Sequence, residues 1–144
     1  MRALIRSYFP GVLLLVLAPM GVIPFGLAAA RAADHTRDTT EMVKKALAEG
    51  KAVLLDVREK TEWDDGHLKD AKLLPLSVLK AGAKPEELAK LMPKGKIVYC
   101  HCAAGRRSLK AADELKKLGF EVRPLKLGYD DLLEAGFAPA PPAK

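Results

Sequence analysis

Apolar residues in this chain fall into short unbroken runs separated by amphipathic stretches. Ala52-Val53-Leu54-Leu55 ends at Asp56, and Ile97-Val98-Tyr99-Cys100 leads into a polar turn that holds a glycine. Continuous apolar runs of this length predict strands buried on both faces, the environment of a parallel sheet. Leu73-Leu74 before Pro75 predicts a further short strand. Val122 to Leu127 predicts a last one, and Pro124 puts it near a sheet edge because proline cannot donate to a ladder. Between the runs the period changes to that of helices. Met42, Val43, Ala46 and Leu47 form one stripe, opened by Asp38 and Glu41 at capping-box spacing and closed by Gly50. Glu59 to Asp65 is a short polar helix or turn. Pro85 to Leu91 is a helix with proline in its first turn. Leu109, Ala112, Leu115 and Leu118 stripe a helix over Ser108 to Leu118, and Asp130 to Ala135 is the last. Strands alternating with helices predict an α/β domain around a mainly parallel sheet.

The first 33 residues follow a different grammar. Arg2 and Arg6 make a basic start, Tyr8 to Leu27 carries no charge, and Ala28-Ala29-Ala30-Arg31-Ala32-Ala33 supplies small residues. That order predicts a secretory signal over residues 1–32, with cleavage after Ala32 or, alternatively, after Ala30. An uncleaved membrane anchor is the other reading, and the chain meets a membrane only in that case. Either way the domain lies outside the cytoplasm, as a periplasmic or exported protein. Residues 33–38 then read as a linker and residues 139–144, rich in proline and alanine, as a flexible tail.

The whole chain has 144 residues and a formal net charge of +6, which falls to +3 without Arg2, Arg6 and Arg31. The remaining basic residues are scattered and not interleaved with aromatics, so nucleic acid is excluded as a partner. Cys100 and Cys102 are the only cysteines. Residues two apart on a strand lie about 6.6 Å apart, at the edge of disulfide geometry, so a bridge between them would be strained. With His67 and His101 they lack the spacing of a structural metal site, and no metal is expected.

The chemistry concentrates in Cys102-Ala103-Ala104-Gly105-Arg106-Arg107-Ser108. A cysteine where a strand turns into a helix meets converging backbone amides and the positive end of the helix dipole. Such an environment favours a thiolate, hence a nucleophile. Gly105 permits a backbone turn closed to other residues, and Arg106 and Arg107 add positive charge. Asp56-Val57-Arg58 also follows a strand end, so both segments can meet on one rim of the sheet. Asp56 and Arg58 pair or orient the neighbouring loops, and Arg58 is also a candidate for substrate contact.

These residues resemble the rhodanese (sulfurtransferase) family over about residues 39–138. Leu55-Asp56-Val57-Arg58 is similar to the family's first strand end. Glu62-Trp63 with Gly66-His67-Leu68 and Ala71 resembles its second signature, and Cys102-x-x-Gly105-x-Arg107-Ser108 resembles its active-site loop. Gly119-Phe120 and Gly128-Tyr129 complete the order. The likeness is greatest to small periplasmic rhodaneses of the phage-shock type. It implies a three-layer domain with about five strands and a Cys102 nucleophile. The loop from Ala103 to Ser108 would bind the substrate together with Arg58, and Asp56 and His67 would give structural support. It further implies sulfur transfer from thiosulfate or a similar donor to cyanide or a thiol through a Cys102 persulfide, with no cofactor and a monomeric chain. In cysteine phosphatases the arginine stands six positions after the cysteine. Ser108 has that place here, and the shorter loop ending at Arg107 resembles a cradle for one sulfur atom. The chain departs from the family pattern at Ala103 and Ala104, at Asp70 before Ala71, and in lacking a C-terminal tryptophan. Two other functions stay open: a non-catalytic partner-binding module, and a thiol redox protein using Cys100 and Cys102.

Overall fold

A computed structural model describes residues 32–141. The expected signal or anchor falls, except for Ala32, on residues outside that range. In chain order the domain contains α1 (Thr40–Ala48), β1 (Ala52–Asp56), α2 (Lys60–Asp65), β2 (Ala71–Leu73), α3 (Leu76–Lys80), α4 (Pro85–Leu91), β3 (Ile97–His101), α5 (Arg106–Lys117), β4 (Val122–Pro124) and α6 (Tyr129–Glu134). The sheet is parallel throughout, in the order β2-β1-β3-β4. Among the described residues it has four strands, where about five were expected. β4 at the edge is short: it stops at Pro124, with Leu125 N–H donating once more, to Cys100 O at 2.8 Å, before the chain leaves the sheet.

Alternation along the strands splits the core into two layers. Val53, Leu55, Val98 and Cys100 face Leu76, Leu79, Leu88, Met92, Ala112 and Leu115 on one side. Leu54 and Tyr99 face Val43, Leu68, Leu132 and Phe137 on the other. Every residue of β1 is buried. Each large apolar side chain removed from water in this way contributes about 1.5–3 kcal/mol before conformational entropy is set against it.

Two segments expected to be loose are tied down. In the predicted linker, Ala33 is buried and its N–H donates to Asp113 Oδ1 at 2.6 Å, while Thr36 N–H donates to Pro124 O at 2.8 Å. Asp38 does not cap α1. Its carboxylate accepts from Tyr99 Oη at 2.7 Å and from Arg123 at 2.9 Å, and Thr39 caps α1 by accepting from Met42 N–H. A carboxylate offered a buried phenol and a guanidinium does better there than at an exposed helix end. Residues 33–38 thus form a strap over the β4 edge. At the other end, Lys69 N–H donates to Ala138 O, Ala140 N–H donates to His67 O at 2.8 Å, and Pro139 bridges Leu68. Pro139 and Ala140, expected in the flexible tail, are thus held against the domain.

Candidate active site

The parallel sheet brings β1 and β3 to one carboxyl-end rim, where Asp56 stands opposite His101. Val57 N–H donates to His101 O at 3.0 Å, so the turn after β1 is stitched to the strand that delivers Cys102. Cys102 lies at the base of the loop between β3 and α5, only 1% exposed, and both cysteines are free thiols. Gly105 caps α5 with φ 75°, and a Cβ there would lie 2.4 Å from Lys126 O. The loop turns on the only residue type that combines that angle with so close a neighbour. The first turn of α5 has no acidic residue, and its free amides and dipole keep about half a positive charge at the foot of the loop.

Ser108 supports the loop from below. Its hydroxyl lies 2.6 Å from Gly105 O and 2.9 Å from Leu125 O, and the side chain is buried. It ties the start of α5 to the exit from β4 and is not open to a substrate, which corrects its expected binding role. The imidazole Nε2 of His35, in the strap, is 3.0 Å from Gly105 O. Gly128 packs against the same loop, and a Cβ on it would fall 1.8 Å from Ala103 O. His35 carried no sequence signal, and Gly128 only its place in the family order.

Arg58 is also corrected. Its backbone N–H and its guanidinium bind both oxygens of Asp56 at 2.7–3.1 Å, and its Nη2 also donates to Gly66 O at 2.7 Å. The guanidinium lies 4.1 Å from the centre of the Tyr129 ring. With Arg58 5% exposed and Asp56 fully buried, this arginine has been consumed by structure. The pair joins the β1 rim to α2 and α6. Arg58→Met would leave the Asp56 charge buried without its partner, and is expected to cost about 3–5 kcal/mol in urea unfolding. His67 Nδ1 lies 3.0 Å from Trp63 O, and its ring stacks on Trp63 with centroids 3.7 Å apart.

Arg107 reaches back to α2. Its two terminal nitrogens donate to the two carboxylate oxygens of Glu62 at 2.5 and 2.6 Å, a fork-to-fork pair across 45 residues of sequence. Glu62 also accepts from Glu59 N–H at the start of α2. Both Glu62 and the Cys102 sulfur hold the Arg107 guanidinium charged, by hydrogen bonding and by charge. The hydrogen bond from Arg107, working against partial burial, lowers the Glu62 pKa from 4.5 to about 2. A carboxyl depressed on folding stabilises the fold fully above its unfolded value and loses that contribution as pH falls through the folded one. Urea midpoints should therefore drop between about pH 4.5 and 2, and Glu62→Gln should remove part of that drop. Arg106 is exposed, and Ala103 and Ala104 present small side chains to solvent.

The neighbours of Cys102 are quiet. Cys100 Sγ donates to Ser108 O at 3.4 Å, and burial, reinforced by the nearby Cys102 sulfur, pushes its thiol well above the ordinary value. It stays a neutral core thiol. Burial likewise lowers the His101 pKa, so this imidazole is neutral, with Nδ1 3.4 Å from Cys102 O and Nε2 without a hydrogen-bond partner.

Comparison with known proteins matches this architecture. The model of the rhodanese-like domain covers residues 39–135. A protein of Mycobacterium tuberculosis named as a probable adenylyltransferase/sulfurtransferase, MoeZ, is 39% identical over 93 residues. The match covers 64% of this chain but only 23% of that protein. Among solved structures, the human single-domain sulfurtransferase TSTD1 superposes with a TM-score of 0.54 at 27% identity, over 65% of this chain and 91% of that one. A rhodanese-like domain protein from Staphylococcus aureus gives a TM-score of 0.54 at 29% identity, over 68% and 91%. A parallel sheet with Cys102 at its carboxyl rim, together with a family match over most of the described residues, leads to one assignment: this chain belongs to the rhodanese-like domain family.

Proposed function

We propose that the chain is a sulfurtransferase that moves sulfane sulfur from thiosulfate or a similar donor to a thiophilic acceptor, cyanide or a thiol, through a persulfide on Cys102. The observation that carries this reading is the place of Cys102: at the base of a loop between β3 and the amino end of α5, beside a clamped arginine, with almost no exposed surface. A sulfur so enclosed is reached by a slim terminal atom and not by a bulky group. The sulfurtransferases among its relatives support the same chemistry.

In the first step the Cys102 thiolate attacks the outer sulfur of thiosulfate. A sulfur–sulfur bond forms at Cys102, the donor's own sulfur–sulfur bond breaks, and sulfite leaves with the electron pair. In the second, cyanide or a thiolate attacks the outer sulfur of the persulfide, and Cys102 leaves as the thiolate. Charge balances in each step without a metal, an oxidant or a reductant. The loop amides and the α5 dipole hold negative charge on sulfur in both states. The basic, apolar and small-residue order of residues 1–32 supports export, which would place the reaction in the periplasm.

The test is thiocyanate formation from thiosulfate and cyanide by the full-length chain, with intact mass before cyanide is added. The expected result is turnover together with an adduct of about 32 Da, one sulfur atom, on Cys102. A folded, reduced protein that shows neither, with any sulfur donor, would overturn the reading.

A further inference from the structure

The two arginines packed into this site are paired with carboxylates. Arg58 lies against Asp56, and Arg107 lies fork-to-fork against Glu62. His101 is neutral, and Ala103 and Ala104 carry no charge. Among the described residues of the loop, only Arg106 presents a charge with no carboxylate against it. Arg106 is exposed, where water and salt screen its charge. A site built to gather a small dianion would leave a guanidinium free to meet it. Here the arginine nearest the sulfur spends both terminal nitrogens on a protein carboxylate, and that carboxylate stays ionised at any working pH.

We propose that Glu62 sets the charge of the donor: by neutralising Arg107 it makes the site favour singly charged sulfane donors, the thiosulfonate anions and organic persulfides, over dianionic thiosulfate. This rests on Cys102 being the sulfur carrier. The chemistry is the same for either donor. With a thiosulfonate, the Cys102 thiolate bonds to the outer sulfur, the bond from that sulfur to the sulfonyl sulfur breaks, and a sulfinate leaves with the electron pair. One fewer negative charge enters the enclosed loop. Glu62 does not touch the reacting atoms. It is a positioning and charge-setting residue that acts through Arg107.

Methanethiosulfonate and thiosulfate, each with cyanide as acceptor, distinguish this from a purely structural role. The full-length wild type is expected to show the larger kcat/KM with methanethiosulfonate. In Glu62→Gln, which keeps the size of the side chain, the ratio of kcat/KM values should shift toward thiosulfate by about fivefold to tenfold. The thiosulfate value should also fall more steeply with salt than in the wild type, because a freed charge is screened where a paired one is not. Glu62→Ala should move the ratio in the same direction. A variant that loses both activities in proportion, or a wild type that prefers thiosulfate, would overturn the proposal. A wild type that prefers thiosulfate overturns the proposal even if both variants fold poorly, and support for it requires the shift in Glu62→Gln or Glu62→Ala. If neither donor leaves a sulfur adduct on wild-type Cys102, it is the sulfur-carrier reading that falls, and that outcome is separate.

Discussion

Cys102→Ser is expected to abolish sulfur transfer, lowering turnover by at least about a thousandfold and removing the sulfur adduct, while the protein stays folded. Serine fits the space of the thiol, so packing at the end of β3 survives. Its hydroxyl remains protonated at neutral pH in the same field of amides and cannot carry a sulfane sulfur through a labile sulfur–sulfur bond. Thiocyanate release and intact mass read the two losses, and circular dichroism confirms the fold. Cys100→Ser makes the contrast. Its thiol sits in the core against Ser108 O, so the substitution should cost about 1–3 kcal/mol of stability through a buried hydroxyl. Turnover should persist. If activity vanished with Cys100→Ser and persisted with Cys102→Ser, the assignment of the nucleophile would be reversed.

Gly128→Ala should be nearly as damaging to activity, from a residue that touches no substrate. Its backbone angles suit any residue, φ −84° and ψ −175°, so the constraint is space alone. A Cβ would fall 1.8 Å from Ala103 O and 2.6 Å from Ala103 C, backbone atoms that cannot swing aside as a side chain can. Either the approach to α6 or the cysteine loop must move by more than an ångström. Displacement on that scale costs about a hundredfold in rate when it misplaces a reacting group, and overpacking adds about 1–3 kcal/mol of destabilisation. The check is kcat/KM together with the urea midpoint. A variant with wild-type kcat/KM would show that the loop does not depend on this approach.

The parts of the fold legible in the sequence were those written in local pattern. The runs at residues 52–55 and 97–100 became the two central strands, because a strand buried on both faces leaves an unbroken apolar signature. The strand-to-helix turn at Cys102 followed from the same signature and from Gly105. What stayed hidden was set by contacts between distant residues. Glu62 reads locally as the second half of a capping box with Glu59, which it is, and nothing in that motif announces Arg107. For Arg58, pairing with Asp56 was one of two readings open in the sequence, and only the full burial of Asp56, a property of the fold, shows how completely that pairing occupies the guanidinium. Asp38 has the spacing of a helix cap, but Tyr99 and Arg123 offer it stronger donors from across the fold. The short helix α3 rests on Leu76 and Leu79 alone, too few apolar positions to establish a period.

The strap of residues 33–38 bears on the order in which the molecule assembles. Ala33 meets Asp113, His35 meets Gly105 and Thr36 meets Pro124, partners that all lie 70 or more residues further along the chain. Contacts over such separations carry a high loop-closure cost and form once shorter-range structure has brought their ends together. The first part of this domain to be synthesised is thus among the last to dock, after β3, α5 and β4 have paired. Because His35 then settles on Gly105, the loop that holds the proposed nucleophile is completed at the end of folding, and a partly folded chain holds Cys102 without the surroundings the proposed reaction depends on.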